Sequence, residues 1–488
     1  MDSYSRRKFL KLAAAGTAGL SLTVNSCRKR AGLGSERPNI LFIAVDDLRP
    51  QIGCYGHKQM ISPNIDRIAG AGTVFERAFC QVPVCGASRA SLMSGVRPTR
   101  DRFLTYYTRV DEDKPDVVTL PKQFRDHGYH TISNGKIYHH RDDDISAWSE
   151  EPWRCGGEHR YLLEENKKRH QQNQIKTEGK GPNSRGPAFE SADIGDDQYP
   201  DHIITEKSIA DLRRLKNMDE PFFLGVGFIR PHLPFNTPKK YWDMYKHDEI
   251  DLADNPFRPE GAPDVALHNW GELRAYADIP KEGPVSDETA RNLIHGYYAS
   301  VTFVDAQIGR LLDELDRLDL RENTMIILWG DHGWNLGEHG LWCKHCNFET
   351  SLHSPLIISA PGYKNGQRTG ALTEFVDIYP SLCELCGLQL PEHLEGTSFV
   401  PLMKKPNREW KKAAFSRWFA GESIRTDRYR YTEWTNKENK QYARMLYDHQ
   451  IDPMENVNVS ESPEYAEIVQ KHSGMLKEGW KSVKKISN

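Results

Sequence analysis

The stretch Asn39-Ile40-Leu41-Phe42-Ile43-Ala44-Val45, followed at once by Asp46-Asp47, decides the fold. Residues 40–45 form an uninterrupted apolar run of strand length, which is typical of a central parallel strand covered on both faces. The two aspartates come directly after it. In open α/β sheets ligands bind beyond the carboxyl ends of the strands, so we expect function at this edge.

The same pattern of strand and polar terminus recurs along the chain. Three further predicted strands precede charged or imidazole side chains: 129–133 before Lys136 and His139, 222–228 before His232, and 324–329 before Asp331 and His332. Segments 73–79 and 356–358 are also predicted strands. Helical periodicity, best between about 287 and 318, separates these runs. The sequence therefore predicts an α/β protein with a layered sheet.

Two long segments show little periodicity. Residues 142–200 and 236–285 are predicted to be irregular loops that face substrate or are mobile. After about residue 388 the pattern changes to short alternating strands at 413–419, 424–434 and 445–448, with a helix after Ser462-Pro463. We therefore divide the chain into a larger domain, 38–388, and a smaller C-terminal α+β subdomain with an antiparallel sheet, 389–488.

The N-terminus is predicted to be a targeting segment. Ser5-Arg6-Arg7-Lys8-Phe9-Leu10 and the modest apolar stretch after it indicate a twin-arginine export signal over 1–26. Val24-Asn25-Ser26-Cys27 resembles a lipoprotein cleavage box, which makes Cys27 a possible lipid anchor; the alternative is cleavage nearby with an incidental cysteine. Residues 27–37 would be a linker. We expect the protein to use the twin-arginine export machinery and to reside in the periplasm or at the cell envelope as a lipoprotein.

The net charge of the chain limits the classes of partner that we expect. The formal net charge of the 488-residue chain is −3, so nothing favours nucleic-acid binding. Without residues 1–26 the chain would carry 61 basic and 67 acidic side chains, a net charge of −6. A polyanionic substrate would then need a local basic patch. Beyond the N-terminus no apolar run reaches the length of a membrane helix.

The cysteines do not form a regular framework. There are nine, an odd number without regular spacing, which argues against a set of disulfides. Two Cys-x-x-Cys pairs, at Cys343/Cys346 and Cys383/Cys386, raise the alternative of a zinc site. The second pair lies on a predicted short buried helix ended by Gly387, where small core residues are the simpler interpretation. The role of Cys343 and Cys346 stays open.

The segment Val84–Gly95 is predicted to carry the chemistry. Cys85 precedes a helical stretch, and Arg89 follows it by four residues, so a helix start and a guanidinium could form an anion-binding corner. Cys85 could be a nucleophile with a lowered pKa or an inert buried thiol. A phosphatase loop of the Cys-x5-Arg type is excluded, because Ser91 occupies the position of its arginine.

Asp46, Asp47, Asp331 and His332 are candidate metal ligands. Carboxylates that meet at one sheet edge repel one another unless a cation is present; hard oxygens suit Ca²⁺ or Mg²⁺, and an imidazole is more usual for a transition metal. Any single aspartate after a strand is more often a helix cap or a loop residue. Cations and proton donors on comparable loops would serve an anion site with a leaving oxygen. They are Lys136, His139, His232 and Lys344.

The Cys85-Gly86-Ala87-Ser88-Arg89 segment, with Leu92-Met93-Ser94-Gly95 and Pro98-Thr99 after it, resembles the signature of the formylglycine-dependent (type I) sulfatases. Ala87 occupies the usual proline position. The resemblance extends through Val45-Asp46-Asp47-Leu48-Arg49-Pro50, Gly135-Lys136, Pro231-His232-Leu233-Pro234-Phe235, Asp331-His332-Gly333-Trp334, Gly337-Glu338-His339-Gly340, Leu446-Tyr447-Asp448, Asp452-Pro453 and Glu455-Asn456. Asp-Asp-Leu-Arg-Pro, Lys136-x-x-His139 and the Asp331-His332 pair are most similar to the iduronate-2-sulfatase branch.

The resemblance implies an alkaline-phosphatase-like fold with a mixed, mainly parallel sheet between helices. It implies that a maturase oxidises Cys85 to formylglycine, whose hydrate attacks sulfur and ligates one Ca²⁺ together with Asp46, Asp47, Asp331 and His332. Arg89, Lys136 and His139 would steady the hydrate and the sulfate, and Lys344 would bind sulfate from the opposite side. His232 would be the general acid. The remaining geminal hydroxyl would then release sulfate and restore the aldehyde.

The function so implied is an exo-acting sulfatase that removes 2-O-sulfate from a uronic acid of a sulfated oligosaccharide or polysaccharide. A sulfatase for another polysaccharide sulfate would use the same mechanism. A phosphate or phosphonate ester hydrolase of the same fold is the enzymatic alternative; a dinuclear phosphatase would want a Ser or Thr nucleophile and more ligands. A non-catalytic glycan-binding relative would not need the set Cys85, Arg89, Lys136, His139 and His232.

Overall fold

Strand β1 (Asn39–Val45) lies inside a seven-stranded sheet, as its apolar sequence predicts. Residues 40–45 are fully buried. Leu41, Ile43 and Val45 face one core cluster, which also contains the apolar stripe of the long helix Asp287–Arg317. The alternate residues of β1 face a second core cluster on the other side of the sheet, which includes the helix Cys85–Ser94. Burial on both faces explains why the strand is continuously apolar.

The computed structural model describes residues 37–157 and 160–483. The predicted export signal, Cys27 and nearly all of the linker therefore lie outside the described residues. The strands, numbered in chain order, are β1, β2 (Thr73–Phe79), β3 (His130–Gly135), β4 (Phe189–Ala192), β5 (Phe222–Phe228), β6 (Phe235–Pro238), β7 (Thr324–Gly330), β8 (Asn335–Leu336), β9 (Trp342–Cys343), β10 (Leu356–Ser359), β11 (Gln367–Glu374), β12 (Ala413–Trp418), β13 (Gly421–Thr426), β14 (Tyr429–Thr435) and β15 (Gln441–Asp448).

The α-helices that accompany these strands vary in length from one turn to 31 residues. They are Pro63–Gly70, Cys85–Ser94, Val110–Asp113, Leu120–Asp126, Glu164–Thr177, Pro200–Leu215, Lys239–Trp242, Gly271–Arg274, Asp287–Arg317, Glu349–Leu352, Ile378–Leu385, Val400–Lys404, Ala466–Glu478 and Trp480–Val483. In the described part of the chain no helix has both the length and the apolar character that a bilayer crossing requires.

The large sheet has the order β11-β2-β10-β7-β1-β5-β3. Strands β7, β1, β5 and β3 are parallel neighbours, and β2 pairs in parallel with β11. Strand β10 is antiparallel to both of its neighbours, β2 and β7. The sheet is thus mixed and mainly parallel, as predicted. The four parallel strands end side by side at one edge, which brings their polar termini together.

The C-terminal part contains the predicted antiparallel sheet, in the order β12-β13-β14-β15. The helix Ala466–Glu478 covers it, and Ile424, Tyr431, Leu446 and Val469 share the core between them. The segment 424–434, predicted as one strand, is two strands with a turn at Asp427-Arg428. By contact, residues 38–488 form one compact unit, so the large sheet and this smaller sheet pack together.

The prediction for residues 142–200 was wrong in one respect. The segment contains the 14-residue helix Glu164–Thr177, none of whose residues is buried, and the short strand β4. A helix that is polar on all sides has no apolar stripe, so periodicity could not reveal it. Strand β11 was also missed, because Gln367-Arg368-Thr369-Gly370 carries no apolar run.

Candidate active site

Four parallel strand ends build the site. Strand β1 delivers Asp46 and Asp47, and β7 delivers Asp331 and His332. Strand β3 leads to Lys136, and β5 leads to His232. The sheet order β7-β1-β5-β3 therefore places side chains that are up to 286 positions apart in sequence at one edge. This edge is where ligands bind in such sheets.

Asp46, Asp47, Asp331 and His332 form a closed acidic cluster. None of the four side chains is exposed, and carboxylate oxygens of the three aspartates lie within 4.8 Å of one another. The Asp47 amide donates to Oδ1 of Asp331 over 3.0 Å. Nε2 of His332 is 3.4 Å from Oδ1 of Asp47 and 3.6 Å from Oδ1 of Asp331.

This cluster fits a bound cation. Burial raises the pKa of Asp47 to about 7 although Lys344 opposes it, and burial also raises the pKa of Asp331 against His332 and Arg89. The carboxylates of Asp47 and Asp331 are therefore short of positive charge. Nε2 of His332 is buried and has no hydrogen-bond partner of good geometry within the described residues. Three oxygen ligands and one imidazole nitrogen suit a divalent metal ion.

Arg89 forms hydrogen bonds to residues that follow β1, β3 and β7. It is fully buried; its Nε donates to Oδ2 of Asp331 over 2.9 Å and its Nη2 to Oδ1 of Asp46 over 3.1 Å. Its Nη1 donates to the carbonyl oxygens of Lys136 and Ile137. Burial would lower the pKa of the guanidinium, but Asp331 and Asp46 raise it above its ordinary value. Arg89 thus orients two candidate metal ligands and the Lys136 segment.

Cys85 is the first residue of the helix Cys85–Ser94 and is only 3% exposed. The cluster Cys85, Asp331 and His332 brings one ligand atom of each within 4.8 Å. Burial would raise the pKa of the thiol, but Lys136 and Lys344 lower it to about 6. The helix start and two ammonium groups make this an environment for a negatively charged group.

Lys136 and His139 lie on the segment after β3. Nζ of Lys136 is 2.5 Å from Oδ2 of Asp46. Burial would raise the pKa of Asp46, but Lys136 and Arg89 hold it well below its usual range. Burial, together with Lys136, lowers the pKa of His139 to about 2, so this imidazole is neutral near pH 7.

His232 and Lys344 share one carboxylate, that of Glu272. Nε2 of His232 is 3.1 Å from Oε1 of Glu272, and Nζ of Lys344 is 2.9 Å from the same oxygen. Lys344 also contacts Oδ1 of Asp47 over 3.1 Å. Burial would raise the pKa of Glu272, but Lys344 and His232 hold it well below its usual range. Burial would lower the pKa of His232, yet Asp47 and Glu272 raise it.

Sequence analysis missed Glu272. It lies on the short helix Gly271–Arg274 within the irregular segment 236–285, and a lone glutamate there gives no sequence signal. Its Oε2 is buried without a hydrogen-bond partner among the described residues. The segment expected to face substrate therefore contributes at least one buried charged group to the site.

Two aromatic pairs that sequence analysis did not single out adjoin these residues. The ring centroids of Tyr106 and Tyr107 are 4.1 Å apart with the rings tilted by 37°, and the ring of Tyr106 is 6.0 Å from that of His139. Trp418 stacks at 5.0 Å on His345, which directly follows Lys344, and contacts Phe419 at 4.3 Å. Tyr107 is 68% exposed and Phe419 is 57% exposed. Exposed aromatic rings beside a polar site are surfaces on which a ligand can pack.

The Cys-x-x-Cys pairs do not form a zinc site in the described chain. Cys343 and Cys346 belong to one core cluster, while Cys383 and Cys386 belong to the other, and no candidate metal group of the described residues contains any of them. Cys383 lies on the helix Ile378–Leu385, followed by Gly387 at φ 64°, as predicted. Burial raises the pKa of the thiols of Cys343 and Cys346, so both are neutral packing groups on either side of Lys344.

The chain matches known families over nearly all of its described length. The model of the family Sulfatase matches residues 38–388, and the model "N-sulphoglucosamine sulphohydrolase, C-terminal" matches residues 337–482. Iduronate 2-sulfatase of Homo sapiens is 35% identical over 403 residues, covering 74% of this chain and 71% of its own. Iduronate 2-sulfatase of Mus musculus is 32% identical over 511 residues, covering 86% and 90%.

Solved structures share the fold. A phosphonate monoester hydrolase from Silicibacter pomeroyi aligns with a TM-score of 0.73 at 23% identity, covering 91% of this chain and 96% of its own. At this identity the likeness concerns the alkaline-phosphatase-like architecture alone. The family models and the curated relatives go further: this chain belongs to the sulfatase family, resembles iduronate 2-sulfatase, and is a sulfuric ester hydrolase.

Proposed function

We propose that this enzyme removes 2-O-sulfate from a uronic acid at the end of a sulfated glycan, using a formylglycine made from Cys85 and one Ca²⁺. The observation that carries the proposal is the buried cluster of Asp46, Asp47, Asp331 and His332 beside Cys85. The choice of glycan is supported by the iduronate 2-sulfatases among its relatives.

Asp46, Asp47, Asp331, His332 and the group at position 85 would hold the Ca²⁺. When present, Ca²⁺ supplies positive charge to the sulfate oxygens, and a hydrated formylglycine supplies an oxygen nucleophile for sulfur and a second hydroxyl for sulfate release. Arg89 keeps Asp331 and Asp46 in place through Nε and Nη2, and its Nη1 donates to the carbonyl oxygen of Ile137. Its role is then to orient the carboxylates, because its hydrogen bonds go to protein groups.

Lys136, Lys344 and His139 provide the sulfate-binding environment. Both ammonium groups are nearly fully buried and lower the pKa of Cys85, so each acts on a negative charge at position 85. A sulfate ester that enters this space is attracted by the ammonium groups of both lysines, in a site of low dielectric. The neutral imidazole of His139 can donate one hydrogen bond without adding charge.

His232 is placed to protonate the departing sugar oxygen. Its Nδ1 donates to the carbonyl oxygen of Leu233 over 2.7 Å, so the imidazolium form carries its second proton on Nε2. Glu272, 3.1 Å from that nitrogen, stabilises the imidazolium. A protonated Nε2 next to a sulfate site is what general-acid catalysis of ester cleavage requires.

The surroundings favour a saccharide. Tyr106, Tyr107, Trp418 and Phe419 present aromatic surface next to His139 and His345, and the apolar face of a sugar ring can pack on such surface.

We further propose that a maturase converts Cys85 before or during export, that residues 1–26 are the export signal, and that Cys27 is lipidated at the cell envelope.

A phosphonate ester hydrolase is the second candidate, favoured by the fold shared with the Silicibacter pomeroyi enzyme. The two candidates separate on substrate. Purified enzyme should release sulfate from a 2-O-sulfated unsaturated uronate disaccharide, and a phosphonate monoester should be turned over far more slowly. Faster phosphonate turnover would overturn the assignment.

The mass of the peptide that carries Cys85 tests the modification directly. We expect the mass of a formyl side chain or of its hydrate in active enzyme, and an unmodified thiol in active enzyme would contradict the mechanism. Cys85→Ala should abolish sulfate release. The matched control is Cys54→Ala, at a half-buried cysteine outside the site, which should retain turnover.

A further inference from the structure

A large cleft lies away from the candidate active site. It has a volume of about 650 Å³, within the range of ligand pockets, and none of the predicted catalytic or metal-binding residues lines it. Its walls come from β2, β11, the segment 406–412, the turn between β13 and β14, and the helix Ala466–Glu478. It is thus assembled where the large sheet meets the C-terminal subdomain.

The walls of this cleft are strongly basic. One carboxylate, Asp427, lines it against six cations, namely Arg77, Arg408, Lys411, Lys412, Arg428 and Lys471, and we call it the basic cleft. Three of the cations are paired: Arg77 with Asp427, Arg428 with Asp448, and Lys411 with Glu374 and Asp377. The other three, Arg408, Lys412 and Lys471, form no ion pair with any described residue.

Part of the lining of the basic cleft is apolar and aromatic. Leu372, Ile468 and Met475 line it together with the rings of Trp410 and Tyr429. Nε1 of Trp410 donates to the carbonyl oxygen of Leu372 over 3.0 Å, which fixes the indole. Apolar and aromatic groups together with cations suit a ligand that has both ring faces and negative substituents.

We propose that the basic cleft is a non-catalytic binding site for a segment of anionic saccharide that bears sulfate or carboxylate groups. The proposal rests on the proposed function in one respect, since it takes the ligand from the same class as the substrate. Charge complementarity carries it. The chain is net negative, with a formal charge of −3, so a polyanion is attracted only where cations are concentrated.

The chain's own ends are poor occupants. Residues 1–36 contain seven basic and two acidic side chains, and residues 484–488 contain Lys484 and Lys485 without an acid. Both would be repelled by Arg408, Lys412 and Lys471. An external anion is therefore the occupant that the charges favour.

A second site changes how a polymer is processed. A chain held in the basic cleft keeps its remaining length near the enzyme, which raises the effective concentration of sulfated residues at the catalytic site. A disaccharide is too short to gain from this. The basic cleft should therefore affect long substrates and leave the smallest ones unchanged.

The test uses the full mature chain with Cys85→Ala, so that no turnover occurs, and titration calorimetry with a size-defined sulfated glycosaminoglycan octasaccharide. Adding Arg408→Glu, Lys412→Glu and Lys471→Glu should weaken binding about tenfold or more. The matched control reverses three exposed lysines outside the basic cleft and outside the segments 142–200 and 236–285, namely Lys58, Lys216 and Lys477, and should leave binding unchanged. With Cys85 intact, the cleft variant should turn over the disaccharide at the normal rate.

Equal octasaccharide affinity for the cleft variant and its parent would overturn the proposal, as would an equal loss in the lysine control. The membrane alternative is tested with vesicles that contain phosphatidylglycerol. If the parent binds these vesicles, and the cleft variant loses vesicle binding but keeps octasaccharide binding, the proposal is overturned in favour of a membrane surface. Binding is measured without turnover, so the two proposals can fail separately. Absence of sulfatase activity would refute the proposed function, and the binding measurement would still test the basic cleft. The neutral variant Arg408→Gln, Lys412→Gln and Lys471→Gln covers the case in which charge reversal unfolds the chain.

Discussion

Oε1 of Glu272 lies 3.1 Å from Nε2 of His232. The two residues come from different parts of the chain, the short helix Gly271–Arg274 and the segment after β5. Because Nδ1 of His232 faces the carbonyl oxygen of Leu233, Glu272 contacts the only ring nitrogen left to deliver a proton. Through this pair, the segment 236–285 contacts His232, the proposed general acid.

Glu272→Gln should lower kcat by about 10- to 100-fold, since it removes the charge that stabilises the His232 imidazolium. The pKa of His232 is raised in the native protein, and Glu272 is one of its causes. Loss of the carboxylate should therefore move the alkaline limb of the pH-rate profile to lower pH. The exposed Glu282→Gln on the same loop is the control. An unshifted alkaline limb would rule out this role for Glu272.

Removal of the metal should abolish turnover and lower the thermal stability. A cation held by Asp47 and Asp331 would bind the native state alone, and a ligand at 100 times its Kd stabilises the native state by about 2.7 kcal/mol. We expect a chelator to lower Tm and Ca²⁺ to restore both Tm and activity. Asp331→Asn should be inactive and show no Ca²⁺-dependent rise in Tm. A Ca²⁺-dependent rise of normal size in this variant would contradict the assigned site.

A buried network away from the active site should control stability in acid. Glu374 accepts from Nη1 of Arg97 over 2.6 Å and from Nζ of Lys411 over 2.6 Å. Burial would raise the pKa of Glu374, but Arg97 and Lys411 lower it to about 2. Because the folded pKa lies below the ordinary value of about 4.5, the stabilisation is complete above pH 4.5 and is lost as pH falls towards 2.

Glu374→Gln should therefore cost about 3–5 kcal/mol at pH 7, since Arg97 stays buried without this carboxylate and Lys411 keeps only Asp377. Chemical denaturation of both proteins between pH 7 and pH 3 measures the effect. The difference in unfolding free energy should shrink below pH 4.5. A difference independent of pH would show that the charge of Glu374 does not contribute.

The exposed aromatic residues should bind the sugar rather than take part in chemistry. Phe419→Ala and Tyr107→Ala should each raise KM by about 2- to 10-fold and leave kcat unchanged, because each ring adds contact area outside the reacting groups. Ile451→Ala, at an equally exposed apolar residue elsewhere, is the control. Unchanged KM for both aromatic variants would remove these residues from the substrate site.

The strand pattern predicted which polar side chains meet at one edge of the sheet. Asp46, Asp47, Asp331, His332, Lys136 and His232 each follow a strand, and parallel pairing of β7, β1, β5 and β3 brings them to one edge. The helix Glu164–Thr177 and strand β11 escaped prediction, since neither has an apolar periodicity. Glu272 escaped because its importance lies in what it contacts.

The sequence by itself determined the strand core, the location of the polar termini and the family of the chain, because apolar runs and motifs are local. Only the tertiary structure decided which charged groups pair. Glu272 contacts both His232 and Lys344, and Arg89 donates hydrogen bonds to Asp46 and Asp331. The tertiary structure also decided that Cys343 and Cys346 lie in a different core from Cys383 and Cys386. Such relationships join residues far apart in the chain, and a linear pattern carries no information on their distance or burial.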